Sequence, residues 1–320
     1  MKEFKWMSFD GTERDIILWD DVPEKKQKGV VQIIHGMAEH ALRYAEFAAF
    51  LNENGYFAAA MELRGHKGAA VLGHENGDVF FDTVKDNLAF TAYLAAKYDL
   101  PVSVVGHSYG SMITQAYIQN SPAIECVVLS GSAARTDVLA KIGMYVAKFQ
   151  KTVIGGKRTA KLINKLSFGS FDKPFKDENR TFAWLSRDKE NGQRYIDDPL
   201  CGYPMSINFQ VSFMTALDTL TDDENVQKIN PELPIMIASG EKDPVGGNGK
   251  FVEQLYAVYL RNGLKRIKFK LYKDARHEIL NETNRREVYA DILSFLDRDQ
   301  RKNALRGADD SERGGKGAKS

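Results

Sequence analysis

The chain has 320 residues, enough for one large α/β domain or for such a domain with an inserted lobe. Lys and Arg number 44 against 43 Asp and Glu, so no overall field favours nucleic acid as a partner. The two cysteines, Cys126 and Cys201, lie far apart, which argues against a zinc site or a disulfide scaffold. No apolar run approaches the ~20 residues that cross a membrane, and the charged first residues lack the apolar segment of a signal peptide. A cytoplasmic protein with no transmembrane segment and no nucleic acid partner is therefore expected.

Strands and helices alternate over residues 1–131. Two short apolar runs flank Asp10-Gly11, which predicts a β-hairpin at the start of the chain. Further on, continuous apolar runs predict buried strands, and amphipathic stretches between them predict helices. The predicted strands are 29–34, 56–61, 102–106 and 126–131, and the predicted helices are 41–54, 82–98 and a stretch after 110. This alternation predicts a mostly parallel central sheet flanked by helices, with right-handed crossovers.

Residues 132–230 interrupt the alternation. Apolar residues from Val138 to Val153 recur at helical spacing, and no clear buried strand follows. We interpret this insertion as a mostly helical cap, or lid, since long insertions in α/β domains are usually functional; the alternative is additional scaffold packed on the core. The alternation then returns, with strands predicted at 234–240 and 266–272, the second at a sheet edge, and helices at 250–262 and 284–299. The predicted domains are a core of residues 1–131 and 231–300, a cap of residues 132–230, and a disordered tail at 301–320.

The motif Gly106-x-Ser108-x-Gly110 stands between a predicted strand and a predicted helix. A chain that turns this sharply leaves no room for side chains on either side of its apex, which explains the two glycines. Ser108 is expected to adopt a strained backbone conformation with an exposed hydroxyl, near the positive end of the following helix. These features are typical of a nucleophile whose attack creates an oxyanion, although the motif alone also occurs in ordinary strand–helix turns.

A serine nucleophile needs a base and a group that orients the base, and the sequence offers both. Asp243 follows the predicted strand 234–240, and His277 follows the last predicted strand. Because the carboxyl ends of parallel strands meet at one edge of a sheet, Ser108, Asp243 and His277 are expected to converge there. Taken singly, Asp243 is also compatible with a turn and His277 with a solvated surface position. Their order along the chain, Ser then Asp then His, is the order expected of an α/β-hydrolase.

The turn His35-Gly36-Met37 follows a buried strand and supplies a fourth element. Such a turn can direct the amide of Met37 inward, where it would form an oxyanion hole with the amide of Tyr109. His35 is interpreted as structural, because His277 already fills the catalytic role. The residues expected to shape the loops around the site without acting as catalysts are His35, Gly36, Glu39, His40, His66, Gly106 and Gly110.

Several motifs together resemble one branch of the α/β-hydrolases. They are His35-Gly36-Met37-Ala38-Glu39-His40, Glu62-Leu63-Arg64-Gly65-His66, Gly106-His107-Ser108-Tyr109-Gly110, Gly240-x-x-Asp243 and His277. They are similar to motifs of the monoacylglycerol lipases and lysophospholipases, and the resemblance covers residues 25–131 and 231–298, approximately. It implies hydrolysis of carboxylic esters, with fatty acyl glycerides or lysophospholipids as substrates. One departure is visible: the family often reads R-G-H-G-x-S, whereas this chain has Lys67-Gly68-Ala69 after His66.

The leading hypothesis is a serine hydrolase that cleaves acyl esters through an acyl-enzyme on Ser108, without metal or organic cofactor. The first alternative is an aminopeptidase of the same fold, which would need an acidic cluster near the cap to hold a free amino terminus. The acids considered for that role are Glu178, Glu190, Asp197 and Asp198. The second alternative is a ligand receptor that keeps the three residues without turnover.

The start of the predicted cap is strongly basic. Residues 137–166 carry seven Lys and Arg side chains against one acid, Asp137, and they include the apolar stripe from Val138 to Val153. A basic amphipathic helix of this kind can rest on an anionic lipid surface or guide a charged lysolipid to Ser108. The alternative is that the stripe packs on the core and the lysines form its solvated face.

Overall fold

The computed structural model of the chain describes residues 1–134, 138–161 and 170–298, and of residues 138–142 it describes the backbone alone. The tail predicted at 301–320 lies outside these ranges, as do Asp137 and residues 162–169 of the basic stretch. Within the described ranges, no helix combines the length and the apolar character needed to cross a membrane.

In the described part of the chain, eight strands form one sheet. Their bounds are β1 Lys2–Met7, β2 Glu13–Trp19, β3 Gly29–Ile34, β4 Tyr56–Met61, β5 Val102–His107, β6 Val127–Ser130, β7 Ile235–Gly240 and β8 Ile267–Tyr272. They lie side by side in the order β1-β2-β4-β3-β5-β6-β7-β8. The pairs β1–β2 and β2–β4 are antiparallel, and the pairs from β4 to β8 are parallel. The predicted mostly parallel sheet is confirmed.

The burial of each strand explains whether its sequence is continuously apolar or alternates between apolar and polar residues. Every residue of β3 to β7 is buried, as expected of parallel strands covered on both faces, and these strands appear as continuous apolar runs. β8 is half-buried over most of its length and pairs with β7 alone, so its alternating sequence correctly predicted a sheet edge. The hairpin predicted around Asp10-Gly11 is confirmed as the pair β1–β2.

Helices pack on both sides of this sheet, and further helices lie in the segment between β6 and β7. Their bounds are α1 Ala45–Glu53, α2 Val79–Tyr98, α3 Tyr109–Ile118, α4 Val138–Ile154, α5 Lys189–Asp197, α6 Ile207–Leu217, α7 Asp223–Val226, α8 Lys250–Arg261 and α9 over 285–298. α1 and α9 share one apolar cluster, in which the rings of Phe47 and Tyr289 lie 5.0 Å apart. α2, α3 and α8 contribute to another cluster, with Phe80, Ile113 and Leu255 buried in it.

Two helices begin at positions other than those predicted. The predicted helix 41–54 starts as a 3₁₀ turn at Ala41–Tyr44 and becomes α-helical at Ala45, with the Ala41 amide donating to Glu62. α2 starts at Val79 rather than 82, because the hydroxyl of Ser212 in α6 accepts a hydrogen bond from the Phe80 amide at 2.8 Å. In both cases a distant polar side chain stabilises the first turn, and no local pattern announces it.

The segment between β6 and β7 consists, where it is described, of helices, turns and an isolated bridge between Thr159 and Ser206. Ala147 of α4 is buried against Ile207 of α6. On another face of α4, the side chains of Tyr145, Phe149 and Val153 are 66%, 70% and 62% exposed. The apolar stripe of α4 therefore divides into a packed part and an exposed part. The division of the chain into a core and a cap stays a prediction.

Candidate active site

Ser108 stands at the apex of the sharp turn between β5 and α3. Its backbone adopts φ 53° and ψ −119°, a sparsely populated region that costs of order 1–3 kcal/mol. The two flanking glycines are required by close approach. A Cβ at Gly106 would collide with the hydroxyl of Thr114, and one at Gly110 with the carbonyl oxygen of Ile34. The steric reason for the motif is thus visible in the packing around it.

The imidazole of His277 lies between Ser108 and Asp243. Its Nε2 is 2.7 Å from Oγ of Ser108, and its Nδ1 is 2.9 Å from Oδ2 of Asp243. The carboxylate of Asp243 also accepts hydrogen bonds from the Val245 amide at 2.8 Å and from the Ser239 hydroxyl at 3.0 Å. The structure therefore brings together the three residues that the sequence singled out. In this geometry an imidazole can take the serine proton while a carboxylate stabilises the imidazolium.

Burial and the charge of the partner shift the pKa values of His277 and Asp243 in opposite directions. Burial lowers the pKa of His277, but the charge and hydrogen bond of Asp243 outweigh burial and raise that pKa above the ordinary 6.5. Burial raises the pKa of Asp243, yet the charge of His277 and the bonds from His277, Val245 and Ser239 hold it below the ordinary 3.8. Asp243 is consequently an anion at neutral pH.

Three residues that the sequence analysis did not assign to the site border His277. Gly131, directly after β6, has φ +58°, and a Cβ there would lie 3.1 Å from Cε1 of His277. The ring of Trp184 lies 5.1 Å from that of His277, and the ring of His107 lies 4.9 Å from it. Burial, aided by the charge of His277, lowers the pKa of His107 to about 4. The position of Gly131 directly after a predicted strand could have indicated that it lies at the site. No sequence pattern indicated that Trp184 and His107 lie beside His277.

Polar contacts hold the loop that follows β3. Glu39 accepts hydrogen bonds from the Gly36 amide and, at 2.7 Å, from the Tyr44 hydroxyl. Nε2 of His66 accepts a hydrogen bond from the Ala38 amide at 3.2 Å. Burial lowers the pKa of His66 to about 3, which keeps this imidazole neutral and able to accept. His66 therefore holds the loop that carries Met37 by accepting a hydrogen bond from the backbone of that loop.

His35, Met37 and Tyr109 are other residues that the sequence predicted near Ser108. His35 is fully buried, and its Nε2 lies 3.1 Å from the Leu63 amide nitrogen and 3.2 Å from Oε2 of Glu62. Burial lowers the pKa of His35, but the hydrogen bond and charge of Glu62 outweigh burial and raise that pKa above the ordinary 6.5. Met37 lines the same cavity as Ser108. Tyr109 is the first residue of α3, so its amide is one of the N-terminal groups that have no carbonyl partner within a helix. Tyr109 thus directly follows Ser108, and Met37 lines the cavity onto which Ser108 opens.

A cavity of about 200 Å³ opens onto Ser108 and His277. Its wall is mostly apolar and aromatic, which suits a hydrocarbon chain. The apolar and aromatic residues that line it include Met37, Phe182, Trp184, Leu185, Tyr203 and Met205. The acids considered for an aminopeptidase are Glu178, Glu190, Asp197 and Asp198, and these four described residues are not part of the lining.

One group of side chains among the described residues could hold a metal ion. The ligand atoms of His40, Asp198 and Cys201 all lie within 4.8 Å of one another. His40 and Asp198 already satisfy each other, with Nε2 and Oδ2 2.8 Å apart. The guanidinium of Arg43 acts electrostatically on both Asp198 and Cys201, and a positive charge at that position opposes a dication. The arrangement therefore fits a hydrogen-bonded pair better than a metal centre.

Residues 25–284, most of the chain, match the family described as "Serine aminopeptidase, S33". The chain belongs to this family. The predicted α/β-hydrolase fold is confirmed, since solved esterases and lipases match the structure over nearly its whole length. The resemblance to monoacylglycerol lipases is also confirmed.

Individual relatives give the extent of the similarity. A monoacylglycerol lipase of Mycolicibacterium smegmatis is 27% identical over 296 residues, which cover 90% of this chain and 95% of the relative. A monoglyceride lipase homolog of monkeypox virus is 23% identical over 279 residues, covering 84% of this chain and 88% of the relative. The crystal structure of a thermostable carboxyl esterase from Bacillus coagulans in complex with glycerol matches with a TM-score of 0.84 and 26% identity. That match covers 93% of this chain and 98% of the esterase.

Proposed function

We propose that this protein hydrolyses esters of monoacylated lipids, of the monoacylglycerol or lysophospholipid type, through an acyl-enzyme on Ser108. The chain is a carboxylic ester hydrolase, a conclusion that rests on relatives and structural neighbours that are lipases and esterases. The identity of the substrate and the roles of single residues are the proposal.

The observation that carries the proposal is the continuous chain of hydrogen bonds from Ser108 through His277 to Asp243. In the proposed reaction, His277 accepts the proton of Ser108 while Oγ attacks the ester carbonyl. The amides of Met37 and Tyr109 stabilise the oxyanion, each by roughly 3 kcal/mol in comparable sites. His277 then protonates the leaving alcohol. In the second half of the reaction His277 accepts a proton from water as the water oxygen attacks the acyl-enzyme, and it returns that proton to Oγ of Ser108 as the acid leaves.

The form of the cavity supports a monoacyl substrate. Its apolar lining suits one hydrocarbon chain, and its volume of about 200 Å³ is small beside the ~300–1,000 Å³ of common ligand pockets. The monoacylglycerol lipase of Mycolicibacterium smegmatis is a relative over almost the whole chain. For the aminopeptidase alternative, two acids line this cavity, Glu39 and Glu278, but both are paired with Arg43, so neither offers an unpaired carboxylate to an amino terminus.

Contact with an anionic lipid surface is the second part of the proposal. The exposed side chains of Tyr145, Phe149 and Val153 lie at i, i+4 and i+8 of α4, so they share one face of that helix. Lys148 and Lys151 are exposed on the same helix. Apolar and aromatic side chains flanked by lysines are the composition with which a helix enters the headgroup region of a membrane.

The test of the catalytic proposal combines a serine probe with three variants. Ser108→Ala, His277→Ala and Asp243→Asn are each expected to lower turnover of a p-nitrophenyl ester by roughly 10⁴- to 10⁶-fold, with strongly non-additive combinations. Labelling by a fluorophosphonate should disappear in Ser108→Ala, whereas substitution of the exposed Ser121 serves as the matched control. Full activity in Ser108→Ala would refute the mechanism.

The same assay separates the alternatives. A hydrolase of acyl esters cleaves the aryl esters and leaves aminoacyl arylamides intact. Turnover restricted to the arylamides would favour an aminopeptidase, and labelling of Ser108 without turnover would favour a receptor.

A further inference from the structure

Arg43 lies between two carboxylates beside the proposed catalytic residues. Its Nη1 and Nη2 donate to Oε1 and Oε2 of Glu278 at 2.6 and 2.7 Å, and Nη1 also donates to Glu39. The three side chains are nearly buried, with 9%, 3% and 3% of their surface exposed for Arg43, Glu39 and Glu278. Ion pairs at this depth are unscreened, and their geometry is fixed by several bonds at once.

The two carboxylates belong to two different catalytic loops. Glu39 accepts the hydrogen bond of the Gly36 amide, directly before Met37 of the proposed oxyanion hole. Glu278 directly follows His277, and its own amide donates to the carbonyl of Leu185 at 2.7 Å. One guanidinium therefore connects the loop that would bind the oxyanion to the loop that carries the base.

The same guanidinium also contacts helix α5. It stacks on the ring of Tyr195, 4.8 Å from the ring centre, and the hydroxyl of Tyr195 donates to the carbonyl of Ala38 at 3.1 Å. Asn191, also in α5, donates to Oε2 of Glu278 at 3.1 Å. Three segments that are distant in sequence thus meet at Arg43.

We propose that Arg43 is a positioning residue that fixes the Met37 loop, the His277 loop and helix α5 in one catalytically competent arrangement. The inference rests on the proposed function, because it assigns the two loops their catalytic roles. Arginine is needed there because its planar fork bonds both oxygens of Glu278 and also stacks on an aromatic ring; a lysine supplies the charge without the fork.

The charges around His277 give the proposal a second readout. The charged groups that act on His277 are Asp243 after β7, Glu278 beside it and Glu39 before α1, and the neutral His107 lies at the end of β5. Arg43 pairs with both glutamates. Glu278 is negative and helps raise the pKa of His277, so Glu278→Gln lowers that pKa. Arg43→Lys keeps every charge, so it leaves the pKa of His277 nearly unchanged.

The decisive experiment is a double-mutant cycle of Arg43→Lys and Glu278→Gln in the full chain, read as kcat, KM and pH profile on a neutral p-nitrophenyl ester. Each single variant is expected to lower kcat by up to about 100-fold with a smaller change in KM, as misplacement of catalytic groups does. The double variant is expected to be no worse than the poorer single one, because both remove the same contact. The acid limb of the Glu278→Gln profile should move to lower pH, and that of Arg43→Lys should stay in place.

The exposed pair Arg261 and Asp223, 2.8 Å apart, supplies the matched control, and Arg261→Lys with Asp223→Asn should retain full kcat. Additive losses in kcat, or coupling seen in the melting temperature but not in kcat, would overturn the positioning role. If Glu278→Gln does not fold, Arg43→Lys decides alone, since full turnover by that variant contradicts the need for the fork. Failure of the proposed function is distinguishable, because the wild-type protein would then not turn over the p-nitrophenyl ester at all.

Discussion

His107 and His277 show how neighbouring groups of one chemical type acquire opposite properties. Their rings are 4.9 Å apart and both are buried. Burial lowers the pKa of both imidazoles, but His277 faces the carboxylate of Asp243, whereas Nδ1 of His107 faces the neutral hydroxyl of Ser130 at 3.1 Å. In the proposed mechanism His277 therefore accepts a proton, whereas His107 stays neutral and adds no positive charge beside it.

The raised pKa of His277 predicts the acid limb of the rate profile. The proposed reaction needs neutral His277, so kcat/KM on a neutral ester should fall as the pH drops through a midpoint above 6.5. In Asp243→Asn the residual activity should show a lower midpoint, because the carboxylate that holds the proton on His277 is gone. A wild-type midpoint at or below 6.5 would contradict this account of the electrostatics around His277.

Among the described helices, α4 contributes no residue to the cavity lining and packs mainly against α6. Its buried residue Ala147 packs toward α6, while three large apolar side chains face outward next to lysines. Exposed apolar patches on a monomer usually mark contact sites. The simpler alternative, that the whole apolar stripe packs on the core, does not apply to Tyr145, Phe149 and Val153.

The proposed lipid contact of α4 is tested by replacing Lys148 and Lys151, the two lysines of this helix whose side chains the structure describes. Lys148→Gln with Lys151→Gln should weaken binding to vesicles containing phosphatidylserine and lower activity on lipid dispersions, while hydrolysis of short soluble esters stays unchanged. Salt should weaken wild-type binding in the same way, because exposed charges are screened. Lys25→Gln with Lys26→Gln, also exposed, is the matched control for lost charge. Equal losses on both substrates, or equal binding to neutral vesicles, would leave α4 without a lipid role.

Across the whole molecule, features that depend on local sequence patterns could be predicted, and features that depend on contacts between distant residues could not. The convergence of Ser108, Asp243 and His277 could be predicted from sequence because each follows a strand, and parallel strands bring their carboxyl ends to one edge. The first turn of α2 and the pair Arg43–Glu278 were missed, since they depend on partners 132 and 235 residues away. The spacing of Glu39 and Arg43, four residues apart, was a local hint, but it did not indicate the second carboxylate.

Four of the buried histidines of the site region, those with shifted pKa values, also predict how stability varies with pH. His66 and His107 have pKa values lowered to about 3 and about 4, so below the ordinary 6.5 the unfolded chain binds protons that the folded protein does not. Stability should therefore fall as the pH drops below 6.5, approaching about 1.4 kcal/mol per pH unit for each of the two. The pKa values of His35 and His277 are raised, so their contribution is complete below 6.5 and is lost as the pH rises through the higher values.

Together these shifts place the stability maximum near pH 6.5, and urea unfolding at pH 5, 6, 7 and 8 measures it. His66→Gln removes one of the two groups that must stay uncharged, so the decline between pH 6 and pH 5 should become shallower than in the wild type, whatever the absolute stability of the variant. The slope above pH 7 should remain unchanged, because it arises from His35 and His277, which provides an internal control. An unchanged slope on the acid side would show that His66 is protonated in the folded protein, in conflict with its acceptor role toward the Ala38 amide.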